Sequence, residues 1–283
     1  MAEKLSEKDI ENINIKGTEE YAVMPLRNTV LFPQQVIPIY VGREKSLKLI
    51  SDIELEKRKY IIVVAQEDGS IEDPSTEDLY SYGTLATVLK VFAMPDNSKS
   101  AIVQGIARVK ILDYLSKDPY FKAAVSKIND DSISDQLEID NITDKLRSAF
   151  SDLIKVAPNL TEEHTGMLSN IKKSNRLVDR AVSLMTLPNH EKQEILEETN
   201  IKNRIDKAIS IINREIQRIK LGEEIQTEVH DEIAKTQREY YLREQMKAIQ
   251  KELGEDEGTV ETKELEDRIK AAKMPEVSEK VAM

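Results

Sequence analysis

Thr199–Leu253 reads TNIKNRIDKAISIINREIQRIKLGEEIQTEVHDEIAKTQREYYLREQMKAIQKEL, and its period decides the architecture. Apolar residues recur at Ile201, Ile205, Ile209, Ile212, Ile216 and Ile219, then at Ile225, Val229 and Ile233, then at Leu242, Met246, Ile249 and Leu253. Steps of three and four hold them on one narrow stripe of a helix whose remaining surface is charged. Such a helix buries a single seam, so it is expected to lie against upstream helices first and then against a partner chain or nothing stable. Unbroken, at about 1.5 Å per residue, it would span roughly 80 Å, too long for a core element of one small domain. Gly222 falls where the stripe weakens and is the expected place for a bend or a change of partner. Residues 141–221 are therefore assigned to a helical bundle and 222–253 to a long outer helix.

Upstream, Leu146, Phe150, Leu153 and Ile154 make a helical face that ends before Pro158. Further helices fit Thr161–Ile171, Asn175–Thr186 and His190–Glu198, with Pro188-Asn189 between the last two. Residues 129–140 are rich in acid and free of base, and read as a linker. Before them, 21–128 changes character: β-branched runs are cut by Pro, Gly and Asp/Asn turns. Strands are expected near Tyr21–Met24, Val36–Val41, Tyr60–Gln66, Thr84–Ala93, Ser100–Tyr114 and Phe121–Ile128, with one helix over Glu44–Lys57. Met94-Pro95-Asp96-Asn97-Ser98 has the composition of a hairpin turn. The alternation Ala107-Arg108-Val109-Lys110-Ile111 puts one face inward and the other in water, and Gly105 marks a bulge or bend. Residues 1–20 read as a frayed tail. At the other end, 254–283 holds an acidic break at Gly254–Gly258 and the start of a helix at Lys263–Lys273. The fold class is α+β: a small β-rich barrel domain, then an α-helical bundle and a very long helix.

Composition narrows the function. The 283 residues are 33 % charged and only 5 % aromatic, with a net charge of -11. That balance disfavours a dedicated non-specific binder of nucleic acid or acidic membrane, while leaving room for local basic patches. The absence of cysteine excludes disulfides, thiolate metal sites and cysteine nucleophiles, and fits a reducing cytoplasm. Met1–Glu20 has no apolar core of a secretory signal, and the run Tyr60–Ala65 is far too short to cross a bilayer. Cytoplasmic residence is the expectation. The nine glycines contain no phosphate-loop spacing, and His164, His190 and His230 lack a paired ligand, reading as surface or capping residues. Carboxylates follow solvated helix faces. No catalytic, metal-binding or nucleotide-binding residue is assigned.

The most specific surface is Met24-Pro25-Leu26-Arg27-Asn28-Thr29-Val30-Leu31-Phe32-Pro33, continuing to Val36-Ile37-Pro38-Ile39-Tyr40-Val41-Gly42-Arg43-Glu44-Lys45-Ser46. Three prolines in an apolar stretch forbid a central strand and place backbone and apolar side chains at an edge or loop. Such an edge can accept an extended polypeptide, with Leu31, Phe32, Pro33, Val36 and Pro38 as contacts. The other reading is that Leu31, Phe32 and Ile37 plug the end of the barrel.

This run, together with Val64-Ala65-Gln66, Asp78-Leu79-Tyr80, Gly83-Thr84, the block Gln237–Gly254 (QREYYLREQMKAIQKELG) and Ala271-Ala272-Lys273-Met274-Pro275, resembles the bacterial Lon ATP-dependent proteases. The matches run in order from about residue 21 to 275. The resemblance implies the Lon N-terminal region, truncated before the AAA+ module: a PUA-like β domain, a helical bundle and a long helix leading toward the motor. Lon proteins continue into an ATPase and a protease domain with a Ser-Lys dyad, and neither set of motifs occurs here. The parent would be an ATP-dependent serine endopeptidase using ATP and Mg, whereas this stretch is expected to be no enzyme and to need no cofactor. By resemblance its partners are unfolded or damaged polypeptides and other subunits of a homohexamer. Tyr240, Tyr241, Met246 and Ile249, large apolar groups on a solvated rod, are expected to contact a partner subunit. Two alternatives stay open: a PUA-like nucleic-acid-binding module, and an oligomerisation scaffold with no ligand of its own.

Overall fold

The computed structural model describes residues 20–56, 60–130, 135–253 and 257–272. They form two compact units, one ending at Ile219 and the other beginning at Lys220.

The first unit opens with six strands, β1 (Tyr21–Leu26), β2 (Val36–Val41), β3 (Tyr60–Ala65), β4 (Tyr82–Ala93), β5 (Lys99–Ser116) and β6 (Lys122–Lys127), with helix α1 (Glu44–Glu56) between β2 and β3. They join in the order β2-β5-β4-β3-β1-β6, and β6 also pairs with β5. Five strands thus curl back on one another through β5, while β2 stays outside the ring as an edge. The seam between β1 and β6 is thin, held by Tyr21↔Ala123 and Ala22↔Lys122, so the barrel is only partly closed. The curl needs bends, and β5 supplies them: its pairing shifts at Ile106 against β4, and at Leu112 and Leu115 against β6. The β4–β5 hairpin closes over Met94–Ser98 as composition indicates, with Asn97 at a φ of 62° and Asp96 Oδ1 accepting from Ser98 N at 3.1 Å. Strand β3, YIIVVA, is apolar throughout because it lies inside the sheet with both faces covered. One side of the sheet packs on Leu49, Ile50 and Ile53 of α1, and the other joins Val23, Ile62, Leu85, Ile106, Val109 and Phe121.

Four helices complete the bundle: α2 (Gln136–Val156), α3 (Glu162–Ser169), α4 (Ser174–Leu184) and α5 (Asn189–Glu197), followed by the start of α6 (Ile201–Glu252). The expected linker is shorter than its acidity suggests. Asp135 caps α2 by accepting from Glu138 N, and Ile139 is buried, so helix begins well inside 129–140; residues 131–134 lie outside the described residues. The acids there serve as a helix cap and an ion partner. His164 caps α3, its Nδ1 accepting from Thr161 N at 3.0 Å.

The alternation reading of β5 fails at Arg108. It is buried, not solvated, and pairs with Asp179 of α4 while its Nε donates to Leu196 O at 3.0 Å. Asp179 also lies 4.0 Å from Arg204 of α6, which is fully buried. Arg204 in turn binds Asp130, and Asn175 Nδ2 donates to the same carboxylate at 2.8 Å. Burial pushes the Asp130 carboxyl up, but Arg204 and Asn175 outweigh it and hold it below the usual range. This chain of charges joins the β domain to the bundle. Any one member removed would leave its neighbour ionised in a dry site.

Along α6, Ile201, Ile205, Ala208, Ile211 and Ile212 are buried, and Ile209, Ile216 and Ile219 pack on the same core. The second unit holds the rest of α6 and α7 (Glu257–Ala271). Helix runs through Gly222 without interruption. What changes near that residue is burial: Ile225, Val229 and Ile233 are about half exposed. The expected break at Gly254–Gly258 is also revised in part. Helix α7 begins at Glu257 and takes in Gly258, ahead of the expected start at Lys263; residues 254–256 and 273–283 lie outside the described residues.

Candidate functional site

The loop between β1 and β2 sets the site. Val30, Leu31 and Phe32 turn inward, Leu31 into the barrel core and Val30 and Phe32 into the helical core. Thr84 Oγ1 donates to Leu31 O at 2.5 Å, and Phe32 N donates to Gln35 Oε1 at 3.0 Å. Gln34, at a φ of 64°, donates its N–H to Gly105 O at 2.9 Å, and Gly105 N donates to Gln35 O at 2.9 Å. A Cβ on Gly105 would sit 2.2 Å from Phe32 O, so the glycine is what lets the loop lie on β5. Leu31 and Phe32 are therefore core residues, 2 % and 1 % exposed, which leaves their side chains almost no surface to offer a ligand. Leu31 packs in the barrel core, as the plug reading has it, whereas Phe32 packs in the core of the helical bundle instead. Pro33 is half-buried, and Val36 and Pro38 are exposed.

Exposure along β2 alternates: Val36, Pro38 and Tyr40 face out while Ile39 and Val41 are core. The bonds between Gly105 and the Gln34-Gln35 pair make that position a hydrogen-bonded site. By antiparallel alternation, Val36, Pro38 and Tyr40 then direct their backbone groups away from β5, toward the open edge. Pro38 carries no N–H, so the edge offers three carbonyls but donors only at Val36 and Tyr40. Full strand addition is interrupted at its middle, which leaves side chains as the main grip.

Register extends the patch across the sheet. Pro38 pairs with Ile102, Tyr40 with Ser100, and Ser100 with Phe92. Val36 and Tyr40 on β2 and Phe92 on β4 are 38 %, 67 % and 40 % exposed, Met94 just past β4 is 42 % exposed, and Lys90 Nζ lies 4.5 Å over the Phe92 ring. Tyr40 OH donates to Asp96 Oδ2 at 3.0 Å, directing the ring toward the hairpin tip, and the bonds from the Ser98 hydroxyl and N–H, with a smaller part from Tyr40, hold the Asp96 carboxyl below its ordinary range. Beside the edge runs a groove of about 900 Å³ walled by Pro25–Thr29, Pro38–Ser46, Glu72–Pro74 and Tyr120-Phe121. Its floor is rigid. Arg43 Nη2 donates to Gln66 Oε1 at 2.7 Å, Lys45 pairs with Asp73 at 3.3 Å, and burial pushes the Arg43 guanidinium below its ordinary value. Tyr40, Phe92 and Ile102 were missed in the sequence because they are brought together by pairing between three strands, and only Tyr40 lay inside the stretch singled out.

In the second unit Tyr240, Tyr241, Met246 and Ile249 are all more than half exposed, at 68 %, 62 %, 62 % and 57 %. Gln245 Nε2 donates to Tyr241 OH at 3.1 Å within the helix. Among the described residues no group of three or more His, Cys, Asp or Glu could hold a metal ion, and no helix is long and apolar enough to cross a membrane.

The geometry is that of a sheet edge with exposed apolar side chains beside a groove, on a curled sheet that packs on a helical bundle. The chain belongs to the family described as the ATP-dependent protease La (LON) substrate-binding domain, whose model matches residues 20–214. It is 40 % identical over 263 residues to the Lon protease of Koribacter versatilis, a match covering 92 % of this chain and 32 % of that relative. It is 38 % identical over 258 residues to the Lon protease of Dictyoglomus thermophilum, covering 91 % of this chain and 32 % of the relative. The chain thus spans about a third of the length of these relatives. Among solved structures, the N-terminal domain of the Mycobacterium avium complex Lon protease superposes with a TM-score of 0.55 at 18 % identity, covering 69 % of this chain and 98 % of that one. At that identity the likeness concerns the fold. The family model matched is that of a substrate-binding domain, not a catalytic one.

Proposed function

We propose that this chain is the substrate-recognition and assembly region of a Lon-type ATP-dependent serine protease, capturing unfolded or damaged polypeptides at the β2 edge. The observation that carries this reading is the exposed row Val36, Pro38 and Tyr40, extended by Ile102 and Phe92, on a strand with one free side. A folded protein hides its apolar segments; an unfolded one offers them in extended form, the shape that lies along a sheet edge. Proteolysis, ATP and Mg belong in this reading to the remainder of a longer protein, and cytoplasmic residence goes with it. The solvated stretch of α6 bearing Tyr240, Tyr241, Met246 and Ile249 is assigned to contact between subunits of a hexamer, where several weak edges would act with avidity. A nucleic-acid module is disfavoured by the net charge of -11 and by the apolar character of the edge.

The test is binding of a labelled, permanently unfolded protein beside its native form, measured for the chain and for Val36→Asp and Tyr40→Asp. Both side chains are exposed, so both variants should fold. Selective binding of the unfolded form, weakened about tenfold by either change, is expected. Binding that is equal in all three proteins would move capture away from β2.

A further inference from the structure

The groove beside β2 takes in the first turn of α1, with Gly42, Arg43, Glu44, Lys45 and Ser46 in its wall. The first bond of that helix runs from Leu47 N to Arg43 O at 2.8 Å, so the N–H groups of Glu44, Lys45 and Ser46 have no intrahelical acceptor. Among the described residues no side chain or other carbonyl accepts from them. Ser46 adds a further donor. It is only 7 % exposed, yet its hydroxyl meets no hydrogen-bond partner among the described residues. Nor is that oxygen sealed off, so the little surface it keeps is on the groove it lines. The charges around this turn match in number, Arg27, Arg43 and Lys45 against Glu44, Glu72 and Asp73. Lys45 pairs with Asp73, and Arg43 is spent on Gln66 and the Ile71 carbonyl, with Asp73 and Glu72 near enough to support its charge. Glu44 is exposed, where water screens it. The groove thus carries no excess of either sign, and any selection within it comes from oriented donors. Arg27 differs from the other two cations: among the described residues its guanidinium has no ion pair or hydrogen bond, although it lies close enough to Arg43 to disfavour that group's charge.

We infer that this end of the groove binds the terminal carboxylate of a captured polypeptide, held by the N–H groups of Glu44, Lys45 and Ser46, the Ser46 hydroxyl and Arg27. The inference rests on the capture reading above and deepens it, adding where a bound chain ends and which way it runs. Topology sets the direction. Strand β2 runs from Val36 to Val41 and passes through Gly42 into α1, and Pro38–Val41 line the same groove. A segment laid parallel to β2 therefore reaches α1 with its C-terminus first. An antiparallel one would bring its α-ammonium to the positive end of the helix dipole, which repels it. Backbone donors on the open edge exist only at Val36 and Tyr40, too few to fix the register of a bound chain. A clamp on the chain end supplies what the edge lacks. Unspent N–H groups at a helix N-terminus suit a small anion, and a carboxylate can accept from several of them at once.

The experiment uses the full chain and a short apolar peptide labelled with rhodamine at its N-terminus, made with a free C-terminal carboxylate, with a C-terminal amide, and as an amide ending in glutamate. The free acid should bind about tenfold more tightly than the plain amide. The glutamate-ending amide should resemble the plain amide, because its carboxylate hangs to the side of the backbone line. Ser46→Ala should fold, since the hydroxyl it removes makes no bond within the protein, and should cut the acid-to-amide ratio to about threefold. Arg27→Gln, at an exposed position, should cut it by a similar amount. Equal binding of acid and amide, both weakened by Val36→Asp, would overturn the inference while leaving capture at β2 standing. A full ratio in both the Ser46 and the Arg27 variants would place the carboxylate elsewhere and overturn it as well. A glutamate-ending amide that matches the acid would overturn the choice of a chain end, and displacement of the acid peptide by micromolar inorganic phosphate would assign the donors to another anion. Acid binding that needs Ser46 and Arg27 yet ignores Val36→Asp and Tyr40→Asp would retain the carboxylate site and sink the β2 reading.

Discussion

Gly105 shows how much one missing side chain can hold. It sits under the Phe32 carbonyl, bonded to Gln34 and Gln35, and so fixes the loop that delivers Val36 to the edge. Gly105→Ala would drive a methyl group into backbone that cannot rotate away. A loss of about 3 kcal/mol is expected in urea unfolding of the β domain and bundle. Asp130 acts through charge. Its carboxyl is held below the ordinary range chiefly by Arg204 once burial has been overcome. A depressed carboxylate stabilises the fold fully above its unfolded value of about 3.9 and loses that contribution as pH falls through the lower folded value. Asp130→Asn is therefore expected to lower stability at pH 7 while flattening its decline below about pH 4, checked by urea midpoints across pH. An unchanged acid limb would show that the Arg204 pair does not report on folding.

At the level of elements, β2 and α6 are both half-used. Strand β2 spends one side on β5 and leaves the other to solvent, and Pro38 limits what that side can bond. Helix α6 buries its seam up to Ile212, with Ile216 and Ile219 partly covered, and continues the same apolar period through Ile225, Val229 and Ile233, which are about half exposed. Replacing Tyr241 and Met246 together by Ala should leave the unfolding midpoint of the chain within about 0.5 kcal/mol, because both side chains are exposed. If these residues contact another subunit, the same change should weaken self-association in sedimentation at high concentration. Unaltered association would place the contact elsewhere on the helix.

For the whole molecule, the division at Ile219 and Lys220 predicts independence. A chain ending at Ile219 should unfold with the same midpoint as the full one and keep its selectivity for unfolded protein, since the barrel, the bundle and the ion chain from Arg108 to Asp130 all lie before the cut. Lost cooperativity in the shortened chain would show that the later residues support the first unit. The sequence by itself determined the elements, because period and punctuation are local: the approximate strand positions, the Met94–Ser98 hairpin, the bend near Gly105, the edge position of β2 and the apolar stripe of α6 follow from residues within a few positions of one another, whereas the continuity of α6 through Gly222, where a bend or change of partner is expected, did not. The Gln237–Gly254 block also carried the family. Only the tertiary structure decided which apolar residues are surface. Leu31 and Phe32 look no more buried in sequence than Val36 and Tyr40, and the difference arises from a loop pinned to β5 and from cores built by helices far along the chain. Arg108 makes the same point with the sign reversed. Its place in a clean alternation predicts water, but Asp179, distant in sequence, meets it in the interior, and a charge is buried wherever a partner brought by the fold compensates its lost hydration.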